Sequence, residues 1–350
     1  MMSRERRKNV GEKDPTARFL AGDFDPESQE IRQRSGHKSK RAQQDKIQKT
    51  ADLRAIEELA SGDIESLPIG QVVQVFSLFY QVAHPTGVRL CVVRKTLAKL
   101  AESAIVVGDY VRFRDGGVAD AAGKIDAVIE QVLPRKTLLV RAGSFDGQHA
   151  QPIVANAEQM LIVSSLLQPR VKWGLVDRVL VAAQSGGLVP IICLNKTDLA
   201  EANDSARQAF AEANEALGHY RTLGIATLEM SAATGDGISD LKDILKGKTT
   251  VLGGHSGVGK STVINAIQPG LGLRIGKVSE STQKGRHTTT SARRYDLEIG
   301  GAVIDTPGVK QFGLWKITPE TLSEYYSDVL AGTAPPWRTL NYQSLQNGRE

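Results

Sequence analysis

The stretch Gly254-His255-Ser256-Gly257-Val258-Gly259-Lys260-Ser261 constrains this chain more than any other. It fits G-x4-G-K-[ST], and it lies between the apolar run TTVLG and the helix-forming run STVINAI. A strand, a glycine-rich loop and a helix in that order form a phosphate cradle. The glycines let backbone N–H groups turn inward, and the helix N-terminus adds a favourable dipole. Lys260 is expected to reach the β- and γ-phosphates and so to serve catalysis, and Ser261 to place its hydroxyl on Mg²⁺. Thr262 follows in the same binding run, while His255, at a variable position of the loop, is given no catalytic role.

The surrounding sequence alternates in kind. Apolar strands are expected at 159–165, 188–194, 227–230, 249–253 and 302–305, with helices near 174–185, 203–217, 237–245 and 260–267. That alternation predicts an α/β fold with a mostly parallel sheet covered on both faces. Ligands in such a sheet sit beyond the carboxyl ends of the strands, and further motifs fall there. Asp305-Thr306-Pro307-Gly308 follows the run AVI about 45 residues after Lys260. Taken alone it is an ordinary turn. At a strand end, Asp305 suits a water-mediated hold on Mg²⁺, and Gly308 lets a backbone N–H approach the γ-phosphate.

Asn195-Lys196-Thr197-Asp198 directly follows LVPIICL. A carboxylate in a base pocket accepts from guanine N1–H and its amino group, whereas adenine presents an acceptor there, so Asp198 selects GTP over ATP. Asn195 is expected to bond near the base and loop, and the Lys196 stem to cover the ring. Ser231-Ala232-Ala233 closes the pocket, offering a backbone N–H to guanine O6. The base motifs precede the phosphate motifs, the reverse of most GTPases, which predicts a circular permutation; relinked termini are tolerated where chain ends lie close.

From 70 to 155 the chain breaks into short β-rich runs at 71–78, 88–94, 109–113, 125–132 and 137–140. Five such strands predict a small all-β OB-type barrel preceding the GTPase domain of 156–317. Charge separates the N-terminal region from both. Residues 1–50 hold 13 Lys/Arg against 8 Asp/Glu, and the other 300 hold 31 of each, so the whole +5 sits at the start. Residues 1–45 read as a basic mobile arm suited to phosphate backbones, and 46–69 as a helical linker in which Ile47, Leu53, Ile56 and Leu59 recur near helical spacing. No apolar run approaches the roughly 20 residues of a membrane span, and no signal sequence is evident, which points to the cytoplasm. The two cysteines, Cys91 and Cys193, exclude a disulfide framework and a four-cysteine zinc site.

The order NKTD, SAATGDG, GHSGVGKST, GRHTTT, DTPGV, FGLW behind a β-rich module resembles the small-ribosomal-subunit biogenesis GTPases of the RsgA type, over roughly 70–325. The resemblance implies an OB-fold domain, a permuted GTPase domain, and GTP hydrolysis stimulated by the small ribosomal subunit, with its rRNA as partner, late in assembly. It also implies a C-terminal zinc domain of three cysteines and a histidine, yet neither residue type occurs after Trp315. Zinc is therefore not expected, and 318–350 reads as a short extension without zinc ligands. Thr318 as helix cap and Pro319 at the first helical position suit a helix packed on the GTPase domain. The basic arm is expected to supply part of the RNA affinity, and the protein to be monomeric.

Val309 stands where many GTPases carry a water-orienting glutamine, so intrinsic turnover is expected to be slow. In Gly285-Arg286-His287-Thr288-Thr289-Thr290, Thr289, or Thr288 beside it, is expected to complete the Mg²⁺ shell, and His287 to orient water or contact the γ-phosphate; a plain solvated histidine remains the alternative. The same loop carries Arg274, Lys277, Lys284, Arg286, Arg293 and Arg294 against Glu280 alone, a basic surface suited to RNA. Gly257 occupies the place of the asparagine that accompanies K⁺ activation, so no K⁺ site is expected. A nucleotide-controlled RNA-binding switch with incidental hydrolysis is the competing function.

Overall fold

The computed structural model describes residues 64–76, 79–94, 104–116, 126–142, 150–271, 292–306, 314–315 and 317–348. The expected arm, most of the linker, His287, Thr288, Thr289, Gly308 and Val309 lie outside them.

Strands β1 (Ile69–Val75), β2 (Tyr80–His84), β3 (Gly87–Val93), β4 (Tyr110–Asp115) and β5 (Ala127–Val132) form a closed barrel. The circuit runs β1-β2-β3-β5-β4 and closes through β4 and β1, with β3 and β5 the parallel pair. Alternate side chains enter the interior, where Val72, Val82, Cys91, Val111, Phe113 and Ile129 pack. Gly70 is required at the strand crossing, because a Cβ there would lie 2.4 Å from Val82 Cγ1. Membership differs from expectation in one place. Residues 137–140 belong to a separate hairpin of β6 (Leu138–Ala142) and β7 (Ala150–Ala155), and β2 takes the barrel position instead. The physical reason is where the apolar side chains are buried: Leu139 and Val154 join the core under the neighbouring sheet with Leu180 and Leu188, not the barrel interior.

That neighbouring sheet has the order β10-β9-β8-β11-β13-β12. Its strands are β8 (Gln159–Ser165), β9 (Val189–Asn195), β10 (Ala226–Glu229), β11 (Thr249–Gly253), β12 (Arg293–Asp296) and β13 (Ala302–Asp305). All run parallel except β12, which is antiparallel to β13 and also meets β1 at Gln74 and Arg293, so barrel and sheet are continuous. Helices α1 (Trp173–Ser185) and α2 (Asp204–Thr222) cover one face; α3 (Ile238–Leu245) and α4 (Lys260–Ile267) cover the other. The strand alternation serves both layers: Met160 and Ile162 pack with Val179, Leu180 and Leu217, while Leu161 and Val163 pack with Leu241, Val263 and Ile264. Burial on both sides explains the uninterrupted apolar runs in the sequence.

The C-terminal segment folds into α5 (Pro319–Glu324), α6 (Ser327–Leu330) and α7 (Pro336–Gln346). Thr318 caps α5, its side chain accepting from the Thr321 N–H, with Pro319 in the first turn. Leu322, Tyr326 and Tyr342 pack on Val181 of α1. At the centre lies Arg338, 1% exposed, bonded to Asp177 of α1 and, at 2.7 Å, to Asp328 of α6. Asp177 also accepts from Tyr220 Oη and Asn341 Nδ2, each at 2.7 Å, and His219 Nε2 lies 2.7 Å from Asp328. Burial pushes the Asp177 carboxyl up, with the Arg338 guanidinium opposing it. Burial also pushes up on Asp328, but His219 and Arg338 outweigh it and hold that carboxyl below its ordinary value.

Removing the guanidinium from between two buried carboxylates is costly, because it leaves buried charge with less compensation. Arg338→Ala is expected to destabilise the protein by about 3–5 kcal/mol in urea unfolding. Leu340→Ala on the same helix, at a position 64% exposed, is expected to stay within about 0.5 kcal/mol of the parent.

Candidate functional site

The carboxyl ends of β8, β9, β10, β11 and β13 converge on one edge of the sheet, and the loops leaving them form the site. From β11 the chain enters the glycine loop, with Gly254, Gly257 and Gly259 at φ of +133°, +86° and +97°. A Cβ on Gly254 would lie 2.1 Å from the Val163 carbonyl oxygen, and one on Gly259 2.5 Å from Asn195 Nδ2. Both positions exclude a side chain on conformation and on space. Lys260 opens α4 and folds back over the loop, donating to the carbonyls of Gly254 at 2.7 Å and His255 at 2.9 Å. Burial lowers the pKa of its ammonium, and the charge of Asp305 acts the other way.

Asp305 ends β13, in register with Leu252 of β11. Burial pushes its carboxyl up, while Lys260 and the Thr306 N–H pull it down. Thr306 is buried, and its hydroxyl donates to the Leu252 carbonyl at 3.1 Å, fixing the residue after Asp305 on the phosphate-loop strand. Ser261 and Thr262 occupy the first turn of α4. His255 is exposed, its Nδ1 2.8 Å from the Ser256 carbonyl oxygen.

Asn195, at the end of β9, is 2% exposed. Its Nδ2 donates to the Val258 carbonyl at 2.9 Å, and its Oδ1 accepts from the Ala232 N–H at 3.0 Å. One amide thus ties the phosphate loop to the Ser231–Ala233 loop. Lys196 adopts a left-handed backbone, φ 63°, and its Nζ donates to the carbonyl of Gly257 at 2.8 Å and to that of Gln168. Burial lowers its pKa, with Asp198 opposing. The Ser231 hydroxyl donates to Asp198 Oδ1 at 2.6 Å and accepts from the N–H groups of Ala233 and Thr234 at 3.3 and 3.2 Å. Thr197 N–H donates to the Met230 carbonyl, closing the same unit.

The fold therefore gathers Asn195, Lys196, Asp198, Ser231, Ala232, Gly257, Val258, Gly259, Lys260 and Asp305 from four loops. Sequence reasoning missed the contributors that act through main-chain carbonyls, Gln168 and Val163, for which no side-chain signature exists. Among the described residues no three His, Cys, Asp or Glu side chains gather as a metal-binding group. Cys91 and Cys193 are buried in separate cores, and burial pushes each thiol up to about 12, which leaves both unreactive.

Comparison with known proteins agrees with this geometry. The sequence model of the RsgA GTPase family matches residues 132–315. A protein of Vibrio parahaemolyticus called small ribosomal subunit biogenesis GTPase RsgA 1 is 40% identical over 225 residues, 64% of this chain and 61% of the relative's own length. Its namesake in Vibrio vulnificus is 36% identical over 286 residues, 81% of this chain and 76% of that one. Among solved structures, YjeQ from Thermotoga maritima superposes with a TM-score of 0.62 at 31% identity, covering 81% of this chain and 99% of that chain. YloQ, described as a circularly permuted GTPase, shares the fold with a TM-score of 0.58 at 23% identity, over 83% and 97% of the two chains. On the family match and on these identities, the chain belongs to the RsgA GTPase family.

Proposed function

We propose that the protein binds GTP at the carboxyl edge of its sheet, hydrolyses it to GDP and phosphate, and couples that reaction to biogenesis of the small ribosomal subunit. The observation that carries the reading is the union of the glycine cradle with Asp198 by way of Asn195 and Ser231. Phosphate binding alone is common to many nucleotide enzymes, and the carboxylate held at the base position supplies the guanine preference. The names of the Vibrio relatives supply the ribosomal process.

Each residue then has a task. Asp198, with one oxygen fixed by Ser231, accepts from the guanine N1–H and amino group. A backbone N–H of the Ser231–Ala233 loop is offered to guanine O6; that of Ala233, held by the Ser231 hydroxyl at 3.3 Å, is the more weakly bound of the pair and gives way more readily than that of Ala232, held by Asn195 at 3.0 Å. Lys196 lays its stem on the ring. Gly254 to Gly259 present backbone N–H groups to the phosphates, and Lys260 exchanges loop carbonyls for phosphate oxygens. The Ser261 hydroxyl and the Asp305 carboxylate are hard oxygen donors, a pair that suits Mg²⁺. When bound, Mg²⁺ neutralises charge on the β- and γ-phosphates. Thr289, or Thr288, completes that shell and Gly308 meets the γ-phosphate. His287 orients water in place of the glutamine that Val309 replaces. The basic arm and the basic segment 274–294 meet rRNA phosphates. The protein acts as a monomer in the cytoplasm; no described helix is long and apolar enough to cross a membrane.

Val309 favours one second reading, an RNA-binding switch in which nucleotide sets affinity and hydrolysis is incidental. Multiple-turnover GTP hydrolysis with and without purified small subunits separates the two: many-fold stimulation is expected, and its absence selects the switch. His287→Ala is expected to lower the stimulated rate by roughly 10²-fold, the scale of a lost acid–base or water-orienting group, while GTP affinity stays nearly intact. Asp198→Asn is expected to cut discrimination against non-guanine nucleotides by roughly 10²-fold or more, measured by competition binding.

A further inference from the structure

The turn that follows β8 carries a role the nucleotide motifs do not assign. Ser165 ends β8 at 1% exposure, and its hydroxyl donates to the Pro169 carbonyl at 2.6 Å. The next residue, Leu166, donates its N–H to the Asn195 carbonyl at 2.9 Å. The turn is thereby held at both ends against the strands that bear the site. Between those ties, the Gln168 carbonyl accepts from Lys196 Nζ, whose ammonium also reaches the Gly257 carbonyl of the phosphate loop at 2.8 Å.

Backbone conformation marks this contact independently. Three non-glycine residues among those described have left-handed φ, namely Asn156, Gln168 and Lys196. Two of the three are the donor and the acceptor of one hydrogen bond. Side-chain-bearing residues hold such conformations where the surrounding structure imposes them, commonly at ligand clamps. A cavity of about 60 Å³ is lined by Ser165, Pro169, Leu175, His255 and Val258, so turn and phosphate loop share its wall. Pro169 also approaches the loop, since a Cβ on Gly257 would lie 3.6 Å from its Cδ. The ammonium bridge is the polar link beside that approach.

We infer that Ser165 and the Gln168–Pro169 turn are a positioning element for nucleotide retention, acting through Lys196. The inference rests on the guanine-nucleotide reading of the site. The Ser165 hydroxyl sets the turn, the turn offers a second carbonyl to the ammonium, and the two carbonyls together fix the lysine stem where it covers the base. With only the Gly257 carbonyl left, the stem samples other rotamers and the nucleotide escapes faster.

The test is a double-mutant cycle on the full chain, read as the release rate of a fluorescent GDP analogue after mixing with excess unlabelled GDP. Ser165→Ala is expected to speed release about fivefold to tenfold, the scale of one buried hydrogen bond. In a Lys196→Met background the same change is expected to add less than about twofold, because the group it acts through is gone. Gln168→Gly keeps the carbonyl but widens the backbone conformations open to the turn, and it is expected to repeat both results should Ser165→Ala not fold. Unchanged release in the single variants, or full additivity with Lys196→Met, overturns the inference. Failure of the parent protein to bind GDP or GTP overturns the nucleotide reading itself.

Discussion

At the carboxyl edge of a parallel sheet the loops leave the hydrophobic layers, so polar contacts must hold them in place. The Asn195 amide makes two at once, with Nδ2 on the Val258 carbonyl and Oδ1 on the Ala232 N–H. A carboxylate of the same shape could accept from Ala232 but would repel the Val258 carbonyl; a hydroxyl has too short a reach to span both. The amide also needs room. It lies 2.5 Å from where a Cβ on Gly259 would stand, so the glycine before Lys260 and the asparagine of NKTD are one constraint written at two distant places. The glycine loop and the Ser231 turn, with the Asp198 carboxylate bonded to it, take their positions from this amide. Buried polar links of this kind rigidify a site only when every member is satisfied, and here both ends of the amide are.

Circular permutation leaves this arrangement intact because the sheet is defined by neighbours across strands and not by chain order. β8 pairs with both β9 and β11, although the chain passes through β10 and α3 before returning to β11. The consequence is felt at the ends. The barrel enters through β1, whose Gln74 is paired with Arg293 of β12, and Arg293 is paired in turn with Asp305. A ladder two steps long therefore joins the barrel to the carboxylate beside Lys260. The first step is a single residue pair, and its stiffness is correspondingly small.

The C-terminal helices are joined to the same machinery through α1. They grip α1 through Arg338 and Asp177, and the segment leading into α1 contains the Gln168–Pro169 turn that meets Lys196. The cap is consequently an integral layer of the nucleotide domain. Its interior resembles an enzyme site in composition, with two carboxylates, a guanidinium, an imidazole and two tyrosines, but the geometry is that of mutual neutralisation. Arg338 lies 4.4 Å and 5.4 Å from the ring centres of Tyr326 and Tyr220, which shield it from water. A buried set like this costs desolvation and returns specificity of docking more than raw stability.

How much of this could be read beforehand follows from which forces leave a mark in sequence. β8 and β11 were legible to the residue, because burial on two faces demands an unbroken apolar run. The positions of the glycine loop and the NKTD segment at strand ends were legible because their glycines, lysines and carboxylates are set by type. β12 was hidden: Arg293–Asp296 is half exposed and charged, and only its place beside β13 makes it a strand. Sequence reading passes over β2 and takes the β6 run as a barrel strand, since only tertiary packing decides which core receives their side chains. Lys196 is expected to cover the base, but its two carbonyl partners were invisible, because any residue supplies a carbonyl. For the same reason Ser165 looked like the unremarkable end of an apolar strand. Its importance appears only once the Pro169 oxygen is seen 2.6 Å away, which is a property of the fold and of no residue type.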